Sequence, residues 1–375
     1  MLKVGIVGCG KIADSHAAQI ARIKDCKIVA VCDQEELMAR QFAERFDVKD
    51  RFTDLRELLQ TARPDVVHLT TPPQSHFALA RQCLDAGCHV YVEKPFTLTT
   101  AEAEQLLEFA SQKGLKVTAG HDDQFRHAAR RMRALVQNGY LGGPPVHMES
   151  YYCYELGEGY AKALLADKQH WVRKLPGQLL HNIISHGIAR IAEFITDDNP
   201  TVLVHAFVSP FLRRLGEEEI VDELRVIIST EDGTTAYFTF SSQMRPSLHE
   251  FRLYGPRNGL VLNQDHETMI PLRGHRYKSY LEFFVPPLTF ARQYLANWST
   301  NLRTFLNADF HMKSGMKYLI EAFYRSIRDN LPPPIPYREI ILTARIMEKI
   351  FDQTRSMNGA NLLELPTATS RVSIR

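Results

Sequence analysis

Gly8-Cys9-Gly10-Lys11-Ile12-Ala13 combines the residue types and the spacing, G-x-G-x-x-G/A, that bring a backbone against a pyrophosphate. Gly8 permits a tight turn, Gly10 leaves the approach to the phosphates clear, and the small Ala13 lets a following helix pack close to its strand. The start of that helix, at Lys11 and Ile12, offers unpaired N–H donors and the positive end of the helix dipole. Asp33 closes the next β-branched run, where a carboxylate accepts hydrogen bonds from an adenosine ribose. The same carboxylate repels a 2′-phosphate, so the combination predicts NAD rather than NADP.

Such a turn works between a strand and a helix, and the sequence supplies both. Short β-branched runs at Lys3–Val7, Lys27–Cys32, Val66–Thr70, His89–Glu93 and Lys116–Ala119 alternate with helical periodicity at Ser15–Ile23, Glu35–Phe46, His76–Ala86 and Ala101–Lys113. Gly87 and Gly114 fall where helix C-caps belong. Near-continuous apolar strands separated by helices predict a parallel, doubly wound α/β sheet.

After about His121 the order changes. A helix at Ala128–Asn138 precedes strand-like stretches at Val146–Tyr154, Val202–Val208, Leu224–Thr230, Thr235–Ser241 and Phe251–Tyr254, with Asp232-Gly233 as a hairpin turn and a helix at Leu179–Phe194 between them. Leu331-Pro-Pro-Pro-Ile-Pro336 separates helices at Tyr318–Arg328 and Arg338–Gln353. The expectation is an N-terminal doubly wound Rossmann domain over 1–122, a C-terminal α+β domain with an open, mostly antiparallel sheet over 123–358, and a loose tail over 359–375.

Composition narrows the function. Lys and Arg number 45 against 43 Asp and Glu, a formal charge of +2, too small for the sustained field of nonspecific nucleic-acid binding. No apolar run approaches the ~18 residues of a membrane span. The chain reads directly into a strand without a secretory pattern, and Cys9, Cys26, Cys32, Cys83, Cys88 and Cys153 lack both C-x-x-C pairing and scaffold density. A cytoplasmic location is expected. The histidines show no metal-ligand spacing with supporting carboxylates, so no metal is expected.

Val67-His-Leu-Thr-Thr-Pro-Pro-Gln-Ser-His76 and Ala86-Gly-Cys-His-Val-Tyr-Val-Glu-Lys-Pro95, taken with the glycine turn, resemble the Gfo/Idh/MocA family of oxidoreductases, over nearly the whole chain. The resemblance implies hydride transfer between NAD and a carbinol or carbonyl carbon of a sugar, cyclitol or nucleotide sugar. It implies that Lys94 is the catalytic lysine, that the Lys94-Pro95 bond is cis, and that Thr70, Thr71, Pro72, His76 and Glu93 lie on the cofactor side. An ammonium at a strand's carboxyl end would stabilise a developing alkoxide.

Gly177-Gln-Leu-Leu-His-Asn-Ile-Ile-Ser-His186 resembles the family's glycine followed by Asp-x-x-x-His. Asn182 stands in place of the Asp, and an amide takes no proton at neutral pH, so Asn182 orients substrate while His186 is left as general acid/base. A register slipped by one pairs His181 with Ser185 instead. Gly120-His-Asp-Asp-Gln-Phe-Arg-His127 departs from the family's Asn-x-Arg-Phe-x-Pro: Asp122, Gln124 and His127 replace Asn, Arg and Pro, and Gln124 keeps hydrogen bonding without charge.

Tyr151, Tyr152 and Tyr154 precede Trp171-Val-Arg-Lys174, and aromatic faces beside Arg173 suit a sugar ring bearing phosphate or carboxylate, which makes Tyr152, Trp171 and Arg173 substrate candidates. Leu288, Ala291, Leu295, Trp298, Leu302 and Phe305 fall near one helical stripe, which can pack on its own sheet, form a subunit contact or touch a membrane surface. A homo-oligomer, dimer or tetramer, is expected. Two other functions fit the residues: a redox-neutral enzyme that retains NAD to cleave or epimerise a glycoside, and a noncatalytic sugar or dinucleotide sensor.

Overall fold

The computed structural model describes residues 1–156, 164–311 and 313–359. Residues 360–375, most of the expected tail, lie outside them. Six strands, β1 (Leu2–Val7), β2 (Cys26–Cys32), β3 (Asp50–Phe52), β4 (Val66–Leu69), β5 (His89–Val92) and β6 (Val117–Ala119), form one parallel sheet in the order β3-β2-β1-β4-β5-β6. Every residue of β4 is buried, as a strand covered on both faces requires. The covering helices are α1 (Lys11–Ile20), α2 (Glu36–Phe46), α3 (Leu55–Thr61), α4 (His76–Asp85) and α5 (Thr100–Gln112). Strand order reverses between β1 and β4, which opens a crevice at the carboxyl ends of the strands.

After α6 (His127–Gln137) comes a second sheet, in the order β13-β12-β11-β7-β10-β9-β8. Its strands are β7 (His147–Tyr152), β8 (Thr201–Phe207), β9 (Glu223–Ser229), β10 (Thr235–Ser241), β11 (His249–Tyr254), β12 (Asn258–Asn263) and β13 (Thr268–Arg273). Only the β7–β10 pair among these neighbours is parallel. The helices of this half are α7 (Gln178–Ile183), α8 (Ser185–Ala192), α9 (Pro210–Arg214), α10 (Leu281–Leu306), α11 (Ser314–Arg328) and α12 (Tyr337–Gly359). Gly187 lets α8 lie against the sheet: a Cβ there would stand 2.4 Å from the Phe238 ring. Ser150 on β7 donates to the Gly187 carbonyl at 3.0 Å.

Three features depart from the sequence reading. Strands β3, β12 and β13 and the short helices α3 and α9 were not foreseen, and the expected helix at 179–194 divides at Ile184 into α7 and α8. The chain also returns to its first half: Met316, Leu319, Ile320, Phe323 and Tyr324 of α11 join the core under the parallel sheet. Along α12, Ile340 belongs to that first core while Leu342, Ile346 and Ile350 belong to the second. A boundary at 122/123 therefore does not separate two cores: α11 packs into the first and α12 joins both. No helix among the described residues is long and apolar enough to cross a membrane.

Candidate active site

The glycine turn sits where β1 meets α1. Gly8 has φ +91°, and a Cβ there would lie 2.7 Å from Thr71 Cγ2. Thr70 locks the turn from below, its hydroxyl lying 3.0 Å from the Val7 carbonyl oxygen and 2.6 Å from that of Gly8. Asp33 Oδ2 accepts from the Cys9 amide at 2.7 Å, which fixes the carboxylate beside the turn. Gly10 caps α1 without a side-chain bond, and a Cβ there would meet no protein atom within 4 Å. Protein packing therefore does not demand that glycine, and the space it leaves fits the close approach of a phosphate. With fully buried Ala13 holding α1 to its strand and Lys11 and Ile12 opening the helix, these residues fit a dinucleotide.

Lys94 stands at the carboxyl end of β5, next to the cis Lys94-Pro95 bond. Its Nζ donates to the Asn182 carbonyl at 2.8 Å. Asn182 thus meets Lys94 through its backbone. Burial pushes the ammonium's pKa down, opposed by the negative charge of Glu93 and Asp122.

Behind Lys94 runs a buried chain. Glu93 accepts from the Lys94 amide at 3.0 Å through one oxygen and bonds His16 Nε2 at 2.8 Å through the other. His16 Nδ1 lies 2.8 Å from His68 Nδ1, and His68 Nε2 lies 2.8 Å from the Tyr324 hydroxyl. Burial would raise the Glu93 pKa, but the His16 hydrogen bond and the Lys94 charge hold it down to about 2. Burial keeps His68 neutral, well below the ordinary imidazole range.

On the other side of Lys94, α8 presents His186, whose Nδ1 lies 3.8 Å from Asp122 Oδ1 and 3.9 Å from Asp123 Oδ2. The Tyr152 ring stacks on His186 at 5.9 Å, and its hydroxyl donates to Asp123 at 3.3 Å. Arg190, one turn along α8, donates to the same carboxylate oxygen at 3.3 Å. Burial pushes His186 down to about 4, against the pull of Asp123. The adjacent acids split: burial and the neighbouring Asp123 charge push Asp122 up to about 7, while His186 and Arg190 overcome burial to hold Asp123 well below the usual carboxylate range.

This cluster holds buried polar atoms that find no protein partner: His121 Nδ1, His186 Nδ1, and Nε and Nη1 of Arg190. Unpaired buried polar atoms are costly, and their concentration marks a place that a polar ligand completes. Asp122, Asp123 and His186 also approach within 4.8 Å of one another, a spacing short enough for a cation and invisible to sequence spacing. Here the Arg190 guanidinium supplies positive charge to Asp123.

Several expected contacts are engaged elsewhere. His76 is fully buried, with Nδ1 2.9 Å from the Pro95 carbonyl oxygen and Nε2 2.9 Å from that of Thr71. It ties the Thr71–Pro72 turn to the Lys94–Pro95 loop rather than lining the crevice. Glu93 likewise faces His16. Gln124 donates to Glu193 at 3.0 Å inside the second half, and Arg173 forms a two-pronged pair with Glu217 at 2.7 and 3.1 Å. Trp171 is half-buried, its carbonyl accepting from Gln74 at 3.2 Å. His181, the alternative in the slipped register, stacks on Phe351 at 4.6 Å, and burial pushes it down to about 4. Asp122, Asp123 and Arg190 were not singled out for chemistry; the signal was two consecutive acids just after a parallel strand.

Residues 2–121 match the family model described as the oxidoreductase family with an NAD-binding Rossmann fold, and residues 129–261 match the Gfo/Idh/MocA C-terminal domain. The chain belongs to the Gfo/Idh/MocA family. It is 32% identical over 142 residues to D-glucoside 3-dehydrogenase of Escherichia coli (strain K12), covering 38% of this chain and 40% of that protein. It is 32% identical over 149 residues to UDP-N-acetylglucosamine 3-dehydrogenase of Acidithiobacillus ferrooxidans, covering 40% and 44%. The matched part thus spans about two fifths of these relatives' length. The WlbA dehydrogenase from Bordetella pertussis, solved with NADH and UDP-GlcNAcA, superposes with a TM-score of 0.75 at 16% identity, covering 95% of this chain and 96% of that one, which establishes the shared fold.

Proposed function

We propose that the protein is an NAD-dependent oxidoreductase acting on a secondary hydroxyl or ketone of a sugar, cyclitol or nucleotide sugar. The observation that carries this reading is the gathering of Lys94, His186 and Asp122 beside a dinucleotide turn, at the carboxyl ends of parallel strands. The relatives' names, a glucoside and a UDP-sugar dehydrogenase, support the substrate class. Six free cysteines support a cytoplasmic location.

When bound, the cofactor supplies a nicotinamide ring that accepts or returns the hydride. The chain's residues manage the oxygen and its proton. Lys94 Nζ, held by the Asn182 carbonyl, donates to the reacting oxygen and stabilises negative charge developing there. Neutral His186 takes the hydroxyl proton, and Asp122, raised to about 7, can keep it at neutral pH. Ionised Asp123, fixed by Arg190 and Tyr152, steadies the imidazole.

The test is purified protein with NAD and a panel of sugars, cyclitols, uronates and nucleotide sugars, followed by NADH absorbance and product analysis. A substrate-dependent rise is expected. Consumed sugar without NADH would replace this reading with internally recycled NAD. Binding without turnover across the panel would replace it with a sensor.

A further inference from the structure

Helix α10 is amphipathic the wrong way round. Leu281, Leu288, Leu295 and Leu302 recur every seven residues, and Phe284, Ala291, Trp298 and Phe305 interleave with them, so the steps alternate strictly three and four. All eight are exposed, with Phe284 at 71%, Leu295 at 65% and Trp298 at 64%. The opposite, polar side faces the protein. Asn297, 4% exposed, accepts from the Met269 amide at 3.0 Å and donates to the Met269 carbonyl at 3.1 Å. Gln293 donates to the Pro271 carbonyl at 3.1 Å and Asn301 to that of His266 at 3.0 Å. Arg131 of α6 donates to Asn297 at 3.0 Å from the other side. These amide bonds fix the helix's rotation against β13, the edge strand, and hold its apolar seam toward solvent.

A helix covering its own core turns its apolar side inward. The sequence reading left open three settings for the stripe, and packing on its own sheet is the one the structure excludes.

We infer that the α10 seam pairs with the same seam of a second copy, forming a two-fold helix–helix interface. Three observations select this occupant. First, the repeat is 3.5 residues, the period that keeps side chains facing a partner helix as knobs into holes. Second, the helix carries only Glu282, Arg292 and Arg303 as charges, far from the Lys/Arg-rich polar face with which interfacial helices meet lipid headgroups. Among the positions flanking the seam only Arg292 is charged, so no charge pattern selects a different chain. Third, seven large side chains between 41% and 71% exposed offer roughly 800 Å² per copy, the area a stable protein interface buries on each partner. The identical patch on both copies gives a closed, self-complementary contact. This interface does not depend on the proposed reaction.

The experiment is sedimentation equilibrium of the full chain at micromolar concentration, beside Leu288→Glu/Leu295→Glu, with NAD affinity and far-UV circular dichroism as controls. The wild type is expected as a dimer or a higher even-numbered assembly. The variant is expected to drop by a factor of two in mass with both controls unchanged. If the double variant loses its fold, Trp298→Ser replaces it, with dimer affinity expected to fall at least about tenfold. A monomeric wild type, or a variant that keeps the wild-type mass, overturns the proposal. So does a monomeric wild type that co-sediments with anionic phospholipid vesicles, which would assign the seam to a membrane surface.

Discussion

Two buried polar clusters flank Lys94, and they differ in one respect. In the chain Glu93–His16–His68–Tyr324, every link is a hydrogen bond of 2.8 Å, joining α1, β4, α11 and the residue just after β5. In the cluster Asp122–Asp123–His186–Arg190, the contacts lengthen to between 3.3 and 3.9 Å, and buried nitrogens lack protein partners. A satisfied network inside a protein rigidifies, whereas an incompletely satisfied one is sustained where a ligand completes it. The first cluster anchors the Lys94 backbone through Glu93; the second is the one the proposed chemistry uses.

Substitutions on either side of Lys94 sharpen that contrast. The largest effect is expected for His186→Ala, which removes the proposed proton acceptor: kcat should fall roughly 10²- to 10⁴-fold while NAD affinity is kept. Unchanged turnover would place the proton elsewhere. Lys94→Ala should lower kcat roughly 10²- to 10³-fold through lost oxyanion stabilisation, with little change in the thermal midpoint.

Asp122→Asn is subtler. Below about pH 7 the Asp122 carboxyl is protonated and cannot accept; above it the carboxylate is available, so kcat/KM of the wild type should rise with pH through that region. The variant should lose this limb and about tenfold of the rate at neutral pH; a profile still rising there would assign the titration to another group. On the scaffold side, Tyr324→Phe should leave kcat within about twofold. It would instead destabilise the fold by about 1–3 kcal/mol, because buried His68 Nε2 loses its partner. A large loss of kcat with stability intact would break the contrast by making the chain a proton relay.

The legibility of the sequence followed the range of the interactions. The strand, turn, helix and acid from Val4 to Asp33 were readable because each feature is local, and the turn behaves as its residues demand. Strand β3 is three residues long with Asp50 and Arg51 exposed, and β13 carries Pro271, so neither has the β signature that a pattern needs. Arg173 looked like a free cation because its partner, Glu217, lies 44 residues on. Asp122 looked like a departure from a motif because its meaning comes from His186, which only the packing of α8 on the second sheet brings near. The apolar stripe of α10 was visible as a period, but a period does not say which way it faces. Buried amides on Asn297 and Gln293 decide that, and amides in a helix carry no sequence signal of what they will bond.

In the proposed reaction a hydride leaves a sugar carbon beside Lys94 and His186. The most direct test uses the sugar that the substrate panel identifies, deuterated at the carbon that is oxidised, and follows the label by mass spectrometry in a single turnover with NAD. Deuterium is expected in the reduced cofactor and none in water. Label released to solvent, with the cofactor unlabelled, would mean that the carbon loses a proton rather than a hydride, and would contradict the proposed reaction.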